Sequence, residues 1–244
     1  MKSIKNPVAA FQFLTSLPIP IKTDMENLAK SLVFFPLVGG FLGLLIGVVY
    51  RGAALLFPPA PAIAVLIAAY ILLTRGFHLD GYMDTIDAFF SNKERTRVLE
   101  ILKESTTGAF AILGAGIWFL ILFTSLRGQA IHLMVITHAS SRFSVLLLPL
   151  LFSYPRESGT AKFFVDNAGT GVFLGGMVIT LGITLPFGII YLAIPALCLT
   201  VAVLTGFWSE KKIGGITGDT MGFVIEVNHM ATALLLANKL LIIN

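Results

Sequence analysis

Three carboxylates recur within one short stretch, His78-Leu79-Asp80-Gly81-Tyr82-Met83-Asp84-Thr85-Ile86-Asp87, in a chain with thirteen acidic residues. On a helix at roughly 100° per residue, Asp84 falls about 40° round from Asp80 and Asp87 about 20° the other way. All three then share one narrow face. No Lys or Arg occurs between positions 76 and 92, which argues against an ordinary solvated face of mixed charge. Crowded carboxylates repel unless a cation sits among them, and hard oxygen donors of this kind suit Mg²⁺ or a similar ion. A fourth carboxylate, Asp219, lies in Gly214-Gly215-Ile216-Thr217-Gly218-Asp219-Thr220-Met221-Gly222, just after Lys211 and Lys212. Glycines such as Gly215 and Gly218 free backbone N–H groups to cradle phosphate, and a lysine beside them would neutralise its charge. Four carboxylates with phosphate-binding amides point to metal-assisted phosphoryl transfer, in which Asp80, Asp84, Asp87 and Asp219 are the candidate metal ligands.

Other polar residues are more ambiguous. Glu226 and His229 stand one turn apart early in the last apolar run, and Arg142 is the lone charge inside an earlier one. Ionisable groups inside a span are functional by default, but mutual pairing is an equally good reading of these. His78 fits a general base, a substrate contact or an interfacial residue. His132, His138 and the single cysteine, Cys198, read as packing or interfacial groups. No Ser-His-Asp set and no His-Glu-x-x-His motif occurs, so acyl transfer and zinc hydrolysis have no support.

The elements that must position these groups are membrane helices. The chain has 244 residues, 56% hydrophobic and 12% charged, with a mean hydropathy of +0.89; soluble domains carry about 25% charged residues. Its apolar runs are continuous and rich in Gly, Ala and Leu, which predicts an all-α polytopic bundle rather than a barrel. About seven transmembrane helices are expected, over 31–50, 60–74, 109–126, 130–152, 171–188, 189–208 and 223–243, in one domain spanning 1–244. The fifth and sixth form a hairpin broken near Pro186 and Pro195. Glycines 39, 40, 43 and 47 would admit a close neighbour. Residues 7–21 are too short and too broken to span, and read as an interfacial amphipathic segment; the second half of 77–108 reads as a helix outside the hydrocarbon. With the N-terminus cytoplasmic, thirteen of the seventeen Lys and Arg residues fall on that side, while Arg51, Arg127 and Lys239 fall on the other. The polar segments 77–108, 153–170 and 211–222 then share the cytoplasmic face of the cell (inner) membrane. The modest net charge of +4 fits bilayer anchoring rather than nucleic-acid binding, and homo-oligomerisation is left open.

The motifs also resemble a known family. His78-Leu-Asp80-Gly-x-x-Asp84-Thr-x-Asp87 is similar to the signature of adenosylcobinamide-GDP ribazoletransferases, the cobalamin synthases. Phe13-Leu-Thr-Ser-Leu-Pro18, Pro36-Leu-Val-Gly39, Glu104-Ser105-x-x-Gly108-Ala-Phe110 and Gly215-x-Thr-Gly-Asp219-Thr-x-Gly222 resemble further segments of that family, in the same order. Ala88 departs from a glycine often found there, and Thr106 from a basic residue.

The resemblance implies a Mg²⁺-dependent phosphotransferase of cobalamin (vitamin B12) biosynthesis. Its substrates would be adenosylcobinamide-GDP and the 5′-hydroxyl of α-ribazole, or α-ribazole 5′-phosphate as acceptor, with GMP released. On that reading Asp80, Asp84 and Asp87 hold metal, and Asp84 or Asp87 accepts the proton. Asp219 completes the shell or orients the hydroxyl, and Lys211, Lys212 and Arg156 contact phosphate. The corrinoid would lie at the membrane edge against residues 7–21. Two rivals differ in sequence. A CDP-alcohol phosphatidyltransferase-like enzyme would carry Ala-Arg where Asp84 stands. An ion-coupled secondary transporter would show internal repeats and carboxylates near the midplane.

Overall fold

Proline and glycine set most of the helix boundaries in the computed structural model, which describes residues 2–104 and 106–237 apart from the side chains of residues 2, 3 and 160. Helix α1 (Lys2–Leu14) is followed by an extended segment and by α2 (Met25–Ser31), which opens on a capping box between Asp24 and Asn27. A 3₁₀ turn leads into α3 (Phe35–Leu56), with Pro36 in its first turn. Then come α4 (Pro59–Thr74), α5 (Phe77–Phe90), α6 (Arg95–Ile101), α7 (Ala109–Ser125), α8 (Ile131–Ser144) and the single turn α9 (Leu148–Leu151). The last helices among the described residues are α10 (Thr160–Asn167), α11 (Thr170–Thr184), α12 (Ala193–Ile213) and α13 (Gly218–Ala237). No strand occurs among the described residues.

Five stretches are long and apolar enough to cross a membrane: Met25–Leu56, Ile131–Leu151, Thr170–Phe187, Ile189–Ile213 and Gly218–Ala237. A sixth is reached if α4 and α5 count together, but they are bent by 93°. The expected count of seven is not reached, because α5 turns off the axis of α4 and α7 is a shorter apolar helix of 17 residues. The predicted end of the last span, 238–243, and Lys239 lie outside the described residues, as does Ser105. Ile112, Leu113 and Leu120 of α7 and Leu204 and Phe207 of α12 are exposed, as lipid-facing side chains should be. The Pro186 break is present, ending at Gly188 with φ 132°, whereas Pro195 sits in the first turn of α12 without interrupting it.

The expected glycine contact is made between α3 and α8. A Cβ on Gly43 would lie 2.8 Å from Val135 Cα, and one on Gly39 would strike the backbone of His138. The two backbones therefore touch, which fixes α8 and its Arg142 against the centre of the bundle. The turn that produces the α4–α5 bend uses two consecutive left-handed residues, Arg75 (φ 57°) and Gly76 (φ 64°). Gly76 takes this conformation freely; Arg75 is held there by donating Nη2 hydrogen bonds to the carbonyls of Phe13 (3.1 Å) and Gln12 (3.3 Å). Helix α1 is thereby tied to the start of the acidic helix.

Candidate active site

Asp80, Asp84 and Asp87 all lie on α5, as their spacing predicts. What brings Asp219 to them is a close crossing of α5 and α13. A Cβ on Gly81 would stand 2.9 Å from Asp219 Cα, and one on Gly222 would stand 3.0 Å from the carbonyl oxygen of His78. The Asp-Gly pair at 80–81 is thus a steric requirement: the side chain absent from Gly81 is the space that Asp219's backbone fills. Asp87 meets a third glycine. Its carboxylate lies against Gly108, the residue capping α7, so closely that a Cβ there would collide with both oxygens. Asp87 therefore sits at a helix N-terminus, where negative charge is favoured.

Four negative groups so placed act on one another. Burial first, then the charges of Asp80, Asp219 and Asp87, push the Asp84 carboxyl up to about 7. Among the described residues, Asp80, Asp84 and Asp87 accept no side-chain hydrogen bond and form no ion pair. Arg156 is near enough for its charge to act on Asp219, while its Nη2 donates to Leu99 O (3.1 Å). The donor set fits a hard divalent cation, but no three His, Cys, Asp or Glu among the described residues stand close enough to hold one. Mg²⁺ suits such an open arrangement, since it takes one or two carboxylates and completes its shell with water and substrate phosphates.

The glycine segment differs from the expected loop. Helix α12 stops at Gly214 (φ 74°), and only Gly215 to Thr217 separate it from α13, so Asp219, Thr220 and Gly222 are helical. Thr217 and Thr220 cap one another: Thr217 N donates to Thr220 Oγ1 (2.8 Å) and Thr220 N to Thr217 Oγ1 (3.3 Å). Ile216 N donates to Ser153 O (2.9 Å), and Gly215 is packed on that same carbonyl. The amides of Ile216 and Thr217 are therefore occupied and do not face a phosphate. The role of the turn is to anchor the 153–170 segment and to aim α13.

A cavity of about 380 Å³ opens beside this crossing, lined by His78, Asp80, Gly81, Arg156, Gly218 and Asp219 together with aromatic side chains. All three polar segments reach it: α5, the 153–170 stretch (which contains α10) and the start of α13. Lys211 and Lys212 do not line it; they end α12 away from it. Instead the guanidinium of Arg95 covers the turn, with Nη2 2.6 Å from where a Gly214 Cβ would be. Arg95 was not singled out from sequence, where it is one of several charges on a polar helix. His78 is buried and faces inward, with Arg142 Nη2 at 3.5 Å from its Nδ1. Burial and then the Arg142 charge hold its imidazole down at about 3.

The ionisable groups of the spans pair with one another. Glu226 accepts hydrogen bonds from Tyr70 Oη and Trp118 Nε1 (2.8 Å), and its Oε2 lies 3.3 Å from His229 Nδ1. Arg142 Nη1 reaches His229 Nε2 at 2.8 Å and Ser141 Oγ at 3.0 Å. His138 packs on the His229 ring at 4.5 Å, and His132 stacks on Phe187 at 5.2 Å. Cys198 is buried and unbonded to another cysteine.

The family model for cobalamin-5-phosphate synthase matches residues 6–237. The chain belongs to the cobalamin-5-phosphate synthase family. It is 36% identical over 239 residues to an adenosylcobinamide-GDP ribazoletransferase of Chlorobium phaeovibrioides, covering 91% of this chain and 93% of that one. Proteins of the same name from Acetivibrio thermocellus and Escherichia coli are 34% and 33% identical, covering 94% and 93% of this chain and 96% and 97% of theirs. No solved structure matches the chain. Within this family member, the acidic helix and the Asp219 turn are neighbours across a glycine contact although well over a hundred positions separate them in sequence.

Proposed function

We propose that this protein transfers the adenosylcobinamide-phosphate group of adenosylcobinamide-GDP to α-ribazole or its 5′-phosphate, releasing GMP, at the cytoplasmic face of the cell membrane. Family membership supports the reaction, and the observation that carries the site is the packing of Asp219 on Gly81, which sets a fourth carboxylate beside the α5 face. A bond forms between a ribose hydroxyl and the corrinoid-bearing phosphorus, and the bond from that phosphorus to the GMP oxygen breaks. The 5′-phosphate has no free 5′ hydroxyl, so a site that serves both acceptors attacks through a ring hydroxyl of the ribose.

A bound Mg²⁺ would supply charge neutralisation for the phosphate oxygens and the GMP leaving group. One or two of Asp80, Asp84, Asp87 and Asp219 would hold it directly, with water and substrate phosphate completing its shell, and Asp84 or Asp87 takes the hydroxyl proton. Arg156 offers positive charge to a phosphate beside Asp219. His78, neutral and turned toward Arg142, serves to position α5 rather than to move the proton. The test is direct: detergent-purified protein with adenosylcobinamide-GDP, α-ribazole and Mg²⁺ should release GMP, and release should stop with a chelator. No GMP under these conditions, with the corrinoid substrate intact, would overturn the reading.

A further inference from the structure

Two hollows flank Asp80, and they differ in character. The first is the cavity of about 380 Å³ already described; the second, of about 650 Å³, is more open and is lined by Arg75, Gly76, Leu79 and Met83. Phe13, Phe77 and Asp80 line both. In the smaller one, three rings from distant parts of the chain gather: Phe13 lies 4.7 Å from Phe164 and 6.0 Å from Phe35, and Phe35 lies 6.1 Å from Phe164. Leu14, Leu32, Leu146 and Ile225 complete apolar walls. The polar groups of this chamber belong instead to the α5–α13 crossing, to Tyr154 and to Arg156, whose Nε is buried without a hydrogen-bond partner among the described residues.

An apolar aromatic chamber with carboxylates and one arginine at its polar wall has the chemistry of a site for an aromatic nucleoside. Its volume lies near the small end of the range of about 300–1,000 Å³ that encloses small ligands. A corrin macrocycle with its amide arms is far too large for it, whereas a flat, methylated base would stack on such rings. We infer that this chamber is the acceptor subsite: the base of α-ribazole lies among Phe13, Phe35 and Phe164, and its ribose points to Asp219 and Asp80. The GDP-activated corrinoid then approaches from the open hollow on the other side of Asp80, at the α1 edge. This rests on the proposed reaction. It assigns Phe164 and Phe35 to specificity, because they line only the smaller chamber, while Phe13 borders both.

Two readouts separate the inference from the reaction. In GMP-release assays, Phe164→Ala and Phe35→Leu should raise KM for α-ribazole about tenfold or more, the equivalent of about 1.4 kcal/mol, with KM for adenosylcobinamide-GDP within about twofold of wild type. Calorimetric titration of α-ribazole alone into detergent-purified wild-type protein should give saturable binding, weakened by Phe164→Leu, a variant that keeps the apolar volume and removes the ring. A methyl-free benzimidazole riboside should lose less affinity than α-ribazole does on that change. Absence of GMP from wild type with α-ribazole still bound at the Phe164-sensitive site would sink the reaction and spare the subsite. A raised corrinoid KM with unchanged α-ribazole KM, or unchanged binding in Phe164→Leu, would overturn the subsite itself.

Discussion

Glu226 and Asp219 stand about two helical turns apart on α13, and the protein treats their carboxylates in opposite ways. Glu226 is fully buried and receives hydrogen bonds from Tyr70 and Trp118, with His229 against it and Arg142 beyond. Asp219 is half-buried, its side-chain hydrogen bond among the described residues is a long one from Thr217 Oγ1 (3.4 Å), and its charge acts on Asp80 and Asp84. A charge that is structural is surrounded by fixed donors, because leaving it bare in a low-dielectric interior would be prohibitive. Carboxylates left without donors beside a cavity are instead available to something that arrives from outside. The contrast separates stability from chemistry within one helix.

The largest effect that would break this comparison is on turnover. Asp84→Asn should lower GMP release by on the order of 10²-fold or more, while its thermal midpoint in detergent stays level or rises because a repelling charge is gone. Glu226→Ala should do the reverse, costing about 3–5 kcal/mol of stability by stranding its buried donors and Arg142; thermal melts of both variants read the difference. Equal destabilisation by the two would erase the distinction.

The next effect is one of pH. Asp84's carboxyl is raised to about 7 in the fold from an unfolded value of about 3.9. The folded state therefore holds that proton more tightly, and the associated stability is present below about 4 and lost as pH rises through about 7. Chelator-treated protein should melt at a lower temperature at pH 8 than at pH 5.5 by a margin that Asp84→Asn reduces. Added Mg²⁺ should recover more of the loss at pH 8. Gly108→Ala comes after these: its Cβ would displace the Asp87 carboxylate, and turnover should fall about tenfold or more, as when groups that orient metal ligands are altered. The smallest effect is expected at Lys211→Ala, less than about twofold, against a clear rise in KM for Arg156→Ala.

Much of this was legible in the sequence, for particular reasons. The α5 carboxylates announce themselves because helical period alone puts 80, 84 and 87 on one face. The Gly39–Gly43 spacing likewise carries its packing role locally. The shared site was readable only through topology, since orienting the polar segments to one side allows them to meet without saying how; the Gly81–Asp219 contact is the answer. The 93° bend left little trace, because half of its turn is Arg75, a residue with no preference for the left-handed conformation, held there by the carbonyls of Gln12 and Phe13. Hydropathy therefore counts α4 as an ordinary crossing. The glycine turn misled for a related reason: four glycines suggest free amides, and only the Ser153 carbonyl and the Thr217–Thr220 cap reveal that those of Ile216 and Thr217 are taken. The partners of Glu226 lie on α4 and α7, and no local pattern links them.

The shared cation site proposed for Asp219 and the α5 carboxylates can be tested in isolation from turnover. Titration of Mn²⁺ into metal-free, detergent-purified protein, followed by the electron paramagnetic resonance signal of the free ion, tests it most directly. Binding should be saturable in wild type and weaken at least about tenfold in both Asp84→Asn and Asp219→Asn, in line with losses on altering metal-site residues. Wild-type Mn²⁺ affinity in Asp219→Asn, with affinity lost only in the α5 variant, would contradict it.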